Sequence, residues 1–276
     1  MGPAAKALVP VAGAPALSCA SAELLQEIEI ADERGEVHAI FVPRERPLTV
    51  YLDGRELVTL MTLGGAPEWL VVGYLRNQRV VTEITGLDSV EVDWASESAK
   101  IQSRDLTRFP DRGALGTACA LGSTYGDVMR SMDRVELPSF AAARVSSSEL
   151  LKILESMRIH DDIRRTAGSV HSCAVFRSSE LWLAVEDVSR HNGVDTVTGW
   201  MALHGVSGAD KILFTTGRLT GEMVMKAALN GVPILITRNG VTAMGRDIAL
   251  RFGMTLIGRA ANRRYICYTG RQRLDS

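Results

Sequence analysis

From residue 37 onward, apolar positions recur at a period near two. His38-Ala39-Ile40-Phe41-Val42 and Leu48-Thr49-Val50-Tyr51-Leu52 read as strands. Asp53-Gly54 is a type I′ hairpin signal that turns the chain back through Leu57-Val58-Thr59-Leu60-Met61. Pro67 opens a helix with Leu70, Val71, Tyr74 and Leu75 on one apolar face. Val90 to Ile101 mixes apolar and charged residues at the spacing of a half-exposed sheet. Residues 103–126 hold Pro110 with Gly113, Gly116, Gly122 and Gly126, the composition of a long, mobile loop, and such loops in compact domains are usually functional or disordered.

The second half follows another rhythm. Ser146-Ser147-Ser148-Glu149 fits a capping box, and Leu150, Leu151, Ile153, Leu154 and Met157 continue it as a helix. Val170 to Phe176 and Leu181 to Val185 form a hairpin across Arg177 to Glu180. A helix over 192–203, a strand at 212–214, a helix over 220–229, a strand at 232–237 and a helix over 241–252 follow. Strands at 255–257 and 265–268 close the chain. Strands alternating with helices of this length predict a mostly parallel sheet covered on both faces. The expected organisation is a flexible lead over 1–36, a smaller β-rich N-terminal domain over 37–145 and an α/β domain over 146–276.

Composition narrows the class. The 276 residues carry 31 Lys and Arg against 32 Asp and Glu, and 46% of them are hydrophobic. That excludes disorder and coiled coil, and it argues against a surface that binds nucleic acid throughout. The near-neutral total is a sum of unlike halves. Residues 1–159 hold 16 basic and 22 acidic side chains, whereas residues 160–276 hold 15 and 10. Four cysteines make no disulfide framework, which points to a reducing compartment. The apolar stretch at 7–17 is broken by Pro10 and Pro15 and does not make a signal peptide, and no run is long enough to span a membrane. The expectation is a cytoplasmic protein without membrane or nucleic-acid partners.

Three groups of residues could carry chemistry. Cys119 sits in Gly116-Thr117-Ala118-Cys119-Ala120-Leu121-Gly122, where little bulk surrounds it; a thiolate there would be a nucleophile, and the alternative is a small buried hydrophobe. The loops after the parallel strands carry Thr216-Gly217-Arg218, Thr237-Arg238-Asn239-Gly240 and Gly258-Arg259, with Arg263 and Arg264 beyond. Ligands of open α/β sheets bind past the carboxyl ends of the strands, and arginines there favour phosphate over a plain surface role. The third group is His171, Cys173, Glu186, Asp187, Arg190 and His191. It could hold zinc and a general base, but no Cys-x-x-Cys completes a site, so a core histidine and a helix-capping acid are the simpler reading. No metal site is expected. Met223, Met225, Trp182 and Trp200 read as packing residues.

Several motifs stand in a collinear order: Leu48 to Gly54, Gly116-Thr117-Ala118-Cys119, Gly168-Ser169-Val170-His171, Glu186-Asp187-Val188-Ser189-Arg190-His191-Asn192-Gly193-Val194-Asp195, Thr216 to Lys226, and Tyr268-Thr269-Gly270. This order resembles the formate dehydrogenase accessory sulfurtransferases (FdhD). The resemblance implies a three-layer α/β/α, cytidine-deaminase-like C-terminal domain and a homodimer. It also implies a sulfurtransferase that moves sulfur from a cysteine desulfurase, as a persulfide on Cys119, to the bis(molybdopterin guanine dinucleotide) molybdenum cofactor of formate dehydrogenase or a related molybdoenzyme. Cofactor binding would fall on Arg259, Ala260, Ala261, Asn262, Arg263 and Arg264, with Arg218 and Gly217 beside them. The alternatives are a chaperone that binds the cofactor without transferring sulfur, and a zinc deaminase, whose His-x-Glu and Pro-Cys-x-x-Cys ligands are absent. The family often has Cys-x-x-Cys where this chain has Cys119 followed by Ala120-Leu121-Gly122, so a two-thiol relay in that loop is excluded here.

Overall fold

The computed structural model describes residues 4–104 and 135–275. Cys119 and most of the loop that holds it lie outside the described residues.

The chain begins with short strands β1 (Ala4–Ala5) and β2 (Ala16–Leu17), then a ribbon of β3 (Leu25–Ala31) and β4 (Val37–Pro43). Strands β5 (Arg46–Leu52) and β6 (Arg55–Thr62) form the expected hairpin. Asp53 and Gly54 take φ of 47° and 78°, the two positive values that a type I′ turn needs. Helix α1 (Pro67–Asn77) follows, then β7 (Leu87–Asp93) and β8 (Ser98–Ser103). A five-stranded sheet in the order β2-β7-β8-β5-β6 results. Leu48, Val50, Leu52, Val90 and Ile101 bury one of its faces against Leu70, Val71 and Leu75 of α1.

Beyond β9 (Val145–Ser146) the elements are α2 (Ser147–Ile159), α3 (Asp162–Ala167), β10 (His171–Arg177), β11 (Glu180–Asp187) and α4 (Arg190–Leu203). Next come β12 (Lys211–Thr215), α5 (Gly221–Leu229), β13 (Ile234–Thr237), α6 (Ala243–Arg251), β14 (Thr255–Ala261) and β15 (Arg264–Thr269), with β16 (Leu274–Asp275) last. The capping box forms as expected: the Ser146 hydroxyl accepts from Glu149 N–H while the Glu149 carboxylate accepts from Ser146 N–H. Such a cap contributes about 1 kcal/mol.

A seven-stranded sheet runs β1-β11-β10-β12-β13-β14-β15. Alternate residues divide it cleanly. Val175, Leu213, Leu235 and Leu256 face α4 and α5, whereas Phe176, Phe214, Ile236 and Ile257 face Leu150, Ile153 and Met157 of α2. The result is three layers with helices on both faces.

Two expectations change. The sheet is mixed rather than mostly parallel, because only β12–β13 and β13–β14 pair in parallel. The expected hairpin β10–β11 forms and adds antiparallel strands at one side, and β14–β15 adds one at the other, where a helix–strand rhythm does not reveal that the last two strands pair as a hairpin. The lead expected to be flexible contributes strands to both sheets: Ala4–Ala5 pairs with β11, and Ala16–Leu17 pairs with β7. Lys6 Nζ donates to Glu180 at 2.6 Å and lies 4.5 Å from the Trp182 ring, and the Ser18 hydroxyl donates to Glu68 at 2.6 Å. Pairing to an open sheet edge uses backbone groups alone, so it leaves no hydrophobic period to read.

Candidate anion-binding site

Strand β10 runs against both its neighbours, so its first residue sits beside the last residues of β11 and β12. His171 is paired across from Asp187, and Cys173 from Thr215. The carboxyl ends of β11, β12 and β13 thus share one edge of the sheet with the start of β10.

The threonines at these ends fold the loops. Thr215 Oγ1 accepts from Gly217 N–H at 3.0 Å, and Thr237 Oγ1 accepts from Asn239 N–H at 2.9 Å while donating to the Gly217 carbonyl at 2.6 Å. Such hydroxyl turns stop a strand and aim the next residue outward. A Cβ on Gly217 would lie 2.6 Å from Arg190 Cβ, so glycine there permits a close crossing. Gly217 is buried and serves packing, whereas Arg218 beside it is exposed.

Two cavities open at this edge. One of about 550 Å³ is lined by Arg158, Asp161, Arg164, Arg165, His171 and Arg238, together with Thr216 and Asn239. The other, of about 610 Å³, is lined by Lys152, Glu155, Arg158, Arg238 and the turn from Ala260 to Arg263. Arg158 and Arg238 border both. Arg238 is held in place, since its Nη1 donates to Asp161 Oδ2 at 2.5 Å and its guanidinium lies 5.6 Å from the Phe214 ring centre. Several arginines around few carboxylates favour a multiply charged anion.

The sequence-derived site residues divide accordingly. Ala261, Asn262 and Arg263 line the second cavity, where Asn262 and Arg263 form the β14–β15 turn with φ of 49° and 64°. Ala260 lines it too, but is fully buried in the core beneath α2. Arg259 and Arg264 are exposed on the strands flanking that turn. Neither they nor Arg218 and Gly217 are among the residues lining the two cavities. Arg158, Arg164, Arg165 and Asp161 were not anticipated. Their signal was three arginines within eight residues, which helical spacing alone presents as an ordinary solvated surface.

The third group of candidates resolves into structural roles. Glu186 caps α3, its two oxygens accepting from Ile163 and Arg164 N–H at 2.8 Å. Cys173 is fully buried, and burial pushes its thiol up to about 12 despite a 3.2 Å hydrogen bond to Thr215. It is not a candidate nucleophile. Half-buried His171 is pushed below the ordinary imidazole value by burial and then by the charges of Arg190, Arg164 and Arg218. His191 is buried with its Nδ1 3.3 Å from Glu222, which in turn is 3.4 Å from Lys226. Lys226 Nζ donates to Asp195 at 2.8 Å, and Asn77 Nδ2 donates to the other Asp195 oxygen at 2.7 Å. This chain of polar groups links α1, α4 and α5 inside the protein.

Residues 43–275 match the model of the FdhD/NarQ family. The chain belongs to the FdhD/NarQ family. Among curated relatives, the sulfur carrier protein FdhD of Wolinella succinogenes is 27% identical over 89% of this chain and 87% of the relative. The sulfur carrier protein FdhD of Bacillus subtilis is 27% identical over 88% and 94%. A crystal structure of a candidate formate dehydrogenase accessory protein from Desulfotalea psychrophila superposes with a TM-score of 0.73, covering 91% of this chain and 98% of the other at 22% identity. That likeness shows a shared fold. The FdhD/NarQ match starts at the last residue of β4, so nearly all of the β3–β4 ribbon lies before it. Among the described residues of this family member, no helix is long and apolar enough to cross a membrane.

Proposed function

We propose that the protein is a sulfur carrier that serves formate dehydrogenase, taking sulfur from a cysteine desulfurase and handing it to the bis(molybdopterin guanine dinucleotide) molybdenum cofactor. The observation that carries this reading is the family match over residues 43–275, with relatives named sulfur carrier protein FdhD over nearly their whole length. The arginine-lined cavities support the cofactor half of it, since the cargo is rich in phosphate and Arg158, Arg238 and Arg263 are available to grip it. Cys119 would be the sulfur-bearing residue.

The chemistry is thiol exchange. The Cys119 thiolate attacks the outer sulfur of the donor's persulfide, so one S–S bond forms as another breaks, and the donor leaves as a thiolate. Release of the outer sulfur to the acceptor returns Cys119 to its thiolate, and the carrier undergoes no net oxidation. One cysteine suffices for both steps. Of the other cysteines, Cys19 is exposed but lies in the lead, before the family match begins, and the remaining two are poorly suited. Cys173 is sealed in the core, and burial raises the Cys267 thiol above its ordinary value. The reading sets the reaction in the cytoplasm and expects a homodimer, which sedimentation velocity would check.

Mass spectrometry after incubation with a desulfurase and cysteine should find a reductant-labile adduct of about 32 Da, one sulfur, on Cys119. A Cys119→Ala protein should lose the adduct and fail to activate apo-formate dehydrogenase. Full activation by that variant would overturn the sulfur-carrier role and leave a cofactor-binding chaperone.

A further inference from the structure

The ribbon of β3 and β4 forms a sheet of its own beside the two large ones. Its register sets Glu27 across from Phe41, Glu29 from Ala39 and Ala31 from Val37. Strand alternation places these six on one face. All six are exposed, Val37 at 68% and Phe41 at 44%. On the opposite face Ile28, Ile30 and Val42 are half-buried. Asp32, Glu33 and Glu36 at the tip add acids against Arg34. At the root Arg44 pairs with Glu23, whereas Glu27 and Glu29 meet no cation among the described residues. Charged side chains guard an open ribbon against aggregation. That role does not account for Val37, Ala39 and Phe41 standing in a row in water beside them. A contiguous apolar row rimmed by charge marks a protein contact, and an exposed aromatic is the usual anchor of one.

The ribbon's place narrows the partner. Strand β4 packs against α3, and Leu24 and Leu25 at the foot of β3 join Ile163 of that helix in one apolar cluster. Arg164 and Arg165 of the same helix line the 550 Å³ cavity. We propose that this face of the ribbon docks the enzyme that receives the cofactor, through a basic patch with an apolar centre on that enzyme. This rests on the reading above, in which the cargo lies at the arginine-lined cavities. A receiving enzyme must reach those cavities, and the ribbon rises from the helix that borders one of them. The ribbon's acids repel a phosphate-rich cargo, so they do not extend the cargo site. They suit the lysines and arginines of a protein, which they steer toward the cavity before Phe41 makes contact. A second copy of this chain does not satisfy the face by setting ribbon against ribbon, because acids would then meet acids.

Surface plasmon resonance with the full chain immobilised and apo-formate dehydrogenase in solution tests this. Glu27→Lys combined with Glu29→Lys should weaken binding at least about tenfold at low ionic strength, mostly through slower association. Most of that loss should vanish near ~1 M salt, where the screening length falls to ~3 Å. Phe41→Ser should weaken binding by about tenfold or more at either salt, through faster dissociation. Pyrophosphate binding, the melting temperature and sulfur loading of Cys119 should stay as in wild type. A loss confined to sulfur loading would overturn the proposal and assign the face to the desulfurase. A halved mass in sedimentation velocity with enzyme binding retained would overturn it in favour of a second copy. If Phe41→Ser does not fold, the charge-reversed variant decides, because both of its positions are exposed. Binding that neither variant changes sinks the ribbon assignment and leaves the sulfur-carrier reading standing. If wild type itself does not bind the apo-enzyme, the formate dehydrogenase reading falls and the ribbon assignment with it.

Discussion

Single side chains in this protein act through the charges around them. Lys226 is buried, and although burial works against its charge, Asp195 and Glu222 hold its pKa above the ordinary lysine value. Glu222 is likewise held below the usual carboxylate range: burial opposes ionisation, but the His191 contact and Lys226 outweigh it. Removing one member of a buried ionic group typically costs 3–5 kcal/mol because the others are stranded. Lys226→Met should therefore lower the melting temperature by on the order of 10 °C, and adding Asp195→Asn should recover part of the loss in the same thermal scan. His171 gives a prediction of different sign. Its depressed pKa comes from burial and from arginine charges that a bound anion would partly cancel. Anion binding then raises its pKa and takes up a proton, so GDP affinity should climb as pH falls from about 7 to 5.5. That extra slope should be missing in His171→Gln.

Among the elements, the crossing of α1 and α4 shows why helix periodicity has limits. Helix α4 is buried nearly all round, from His191 and Asn192 to Trp200 and Leu203, because it lies between α1 and the seven-stranded sheet. No clean apolar stripe results. Close approach is set by two glycines. A Cβ on Gly73 would fall 1.8 Å from the Asp195 carbonyl oxygen, and one on Gly199 would fall 1.9 Å from that of Trp69. Alanine is the better helix former by roughly 0.5–1 kcal/mol, yet here it meets rigid backbone. Overpacking wins, and Gly73→Ala should cost about 3 kcal/mol or more in urea unfolding. Gly240→Ala, which meets nothing within 4 Å, should be close to neutral in the same assay. Glycine in a helix reads as a weakness in sequence, and only the neighbouring helix shows it to be a requirement.

Across the whole molecule, Asp187 ties the two sheets together. From the end of β11 it accepts from the Thr62 hydroxyl at 2.5 Å and Leu63 N–H at 3.1 Å, both at the end of β6, and from Asn192 of α4. Burial pushes its carboxyl up to about 6 in spite of these bonds. A raised folded-state value means that its contribution to stability is complete below pH 3.8 and declines as pH rises through 6. Over that window the change is about 3 kcal/mol at most. The stability advantage of wild type over Asp187→Asn should accordingly be larger at pH 4 than at pH 7 in urea titrations.

What the chain alone determined is local and chemical. Alternation at 48–61, the Asp53-Gly54 turn, the Ser146 capping box and the strands expected at 212–214 and 232–237 follow from residue preference and period, and the structure holds them, the last as Ile234–Thr237. The family was likewise legible, because its motifs are contiguous strings such as Glu186 to Asp195. Tertiary structure decided the rest. The antiparallel pairing of β10 with β12, the strands made by the lead and the joining of Arg158, Asp161 and Arg238 at two cavities all depend on contacts across long sequence separations. Backbone pairing and surface arginines carry no periodic signal, so only the assembled sheet reveals which of them meet.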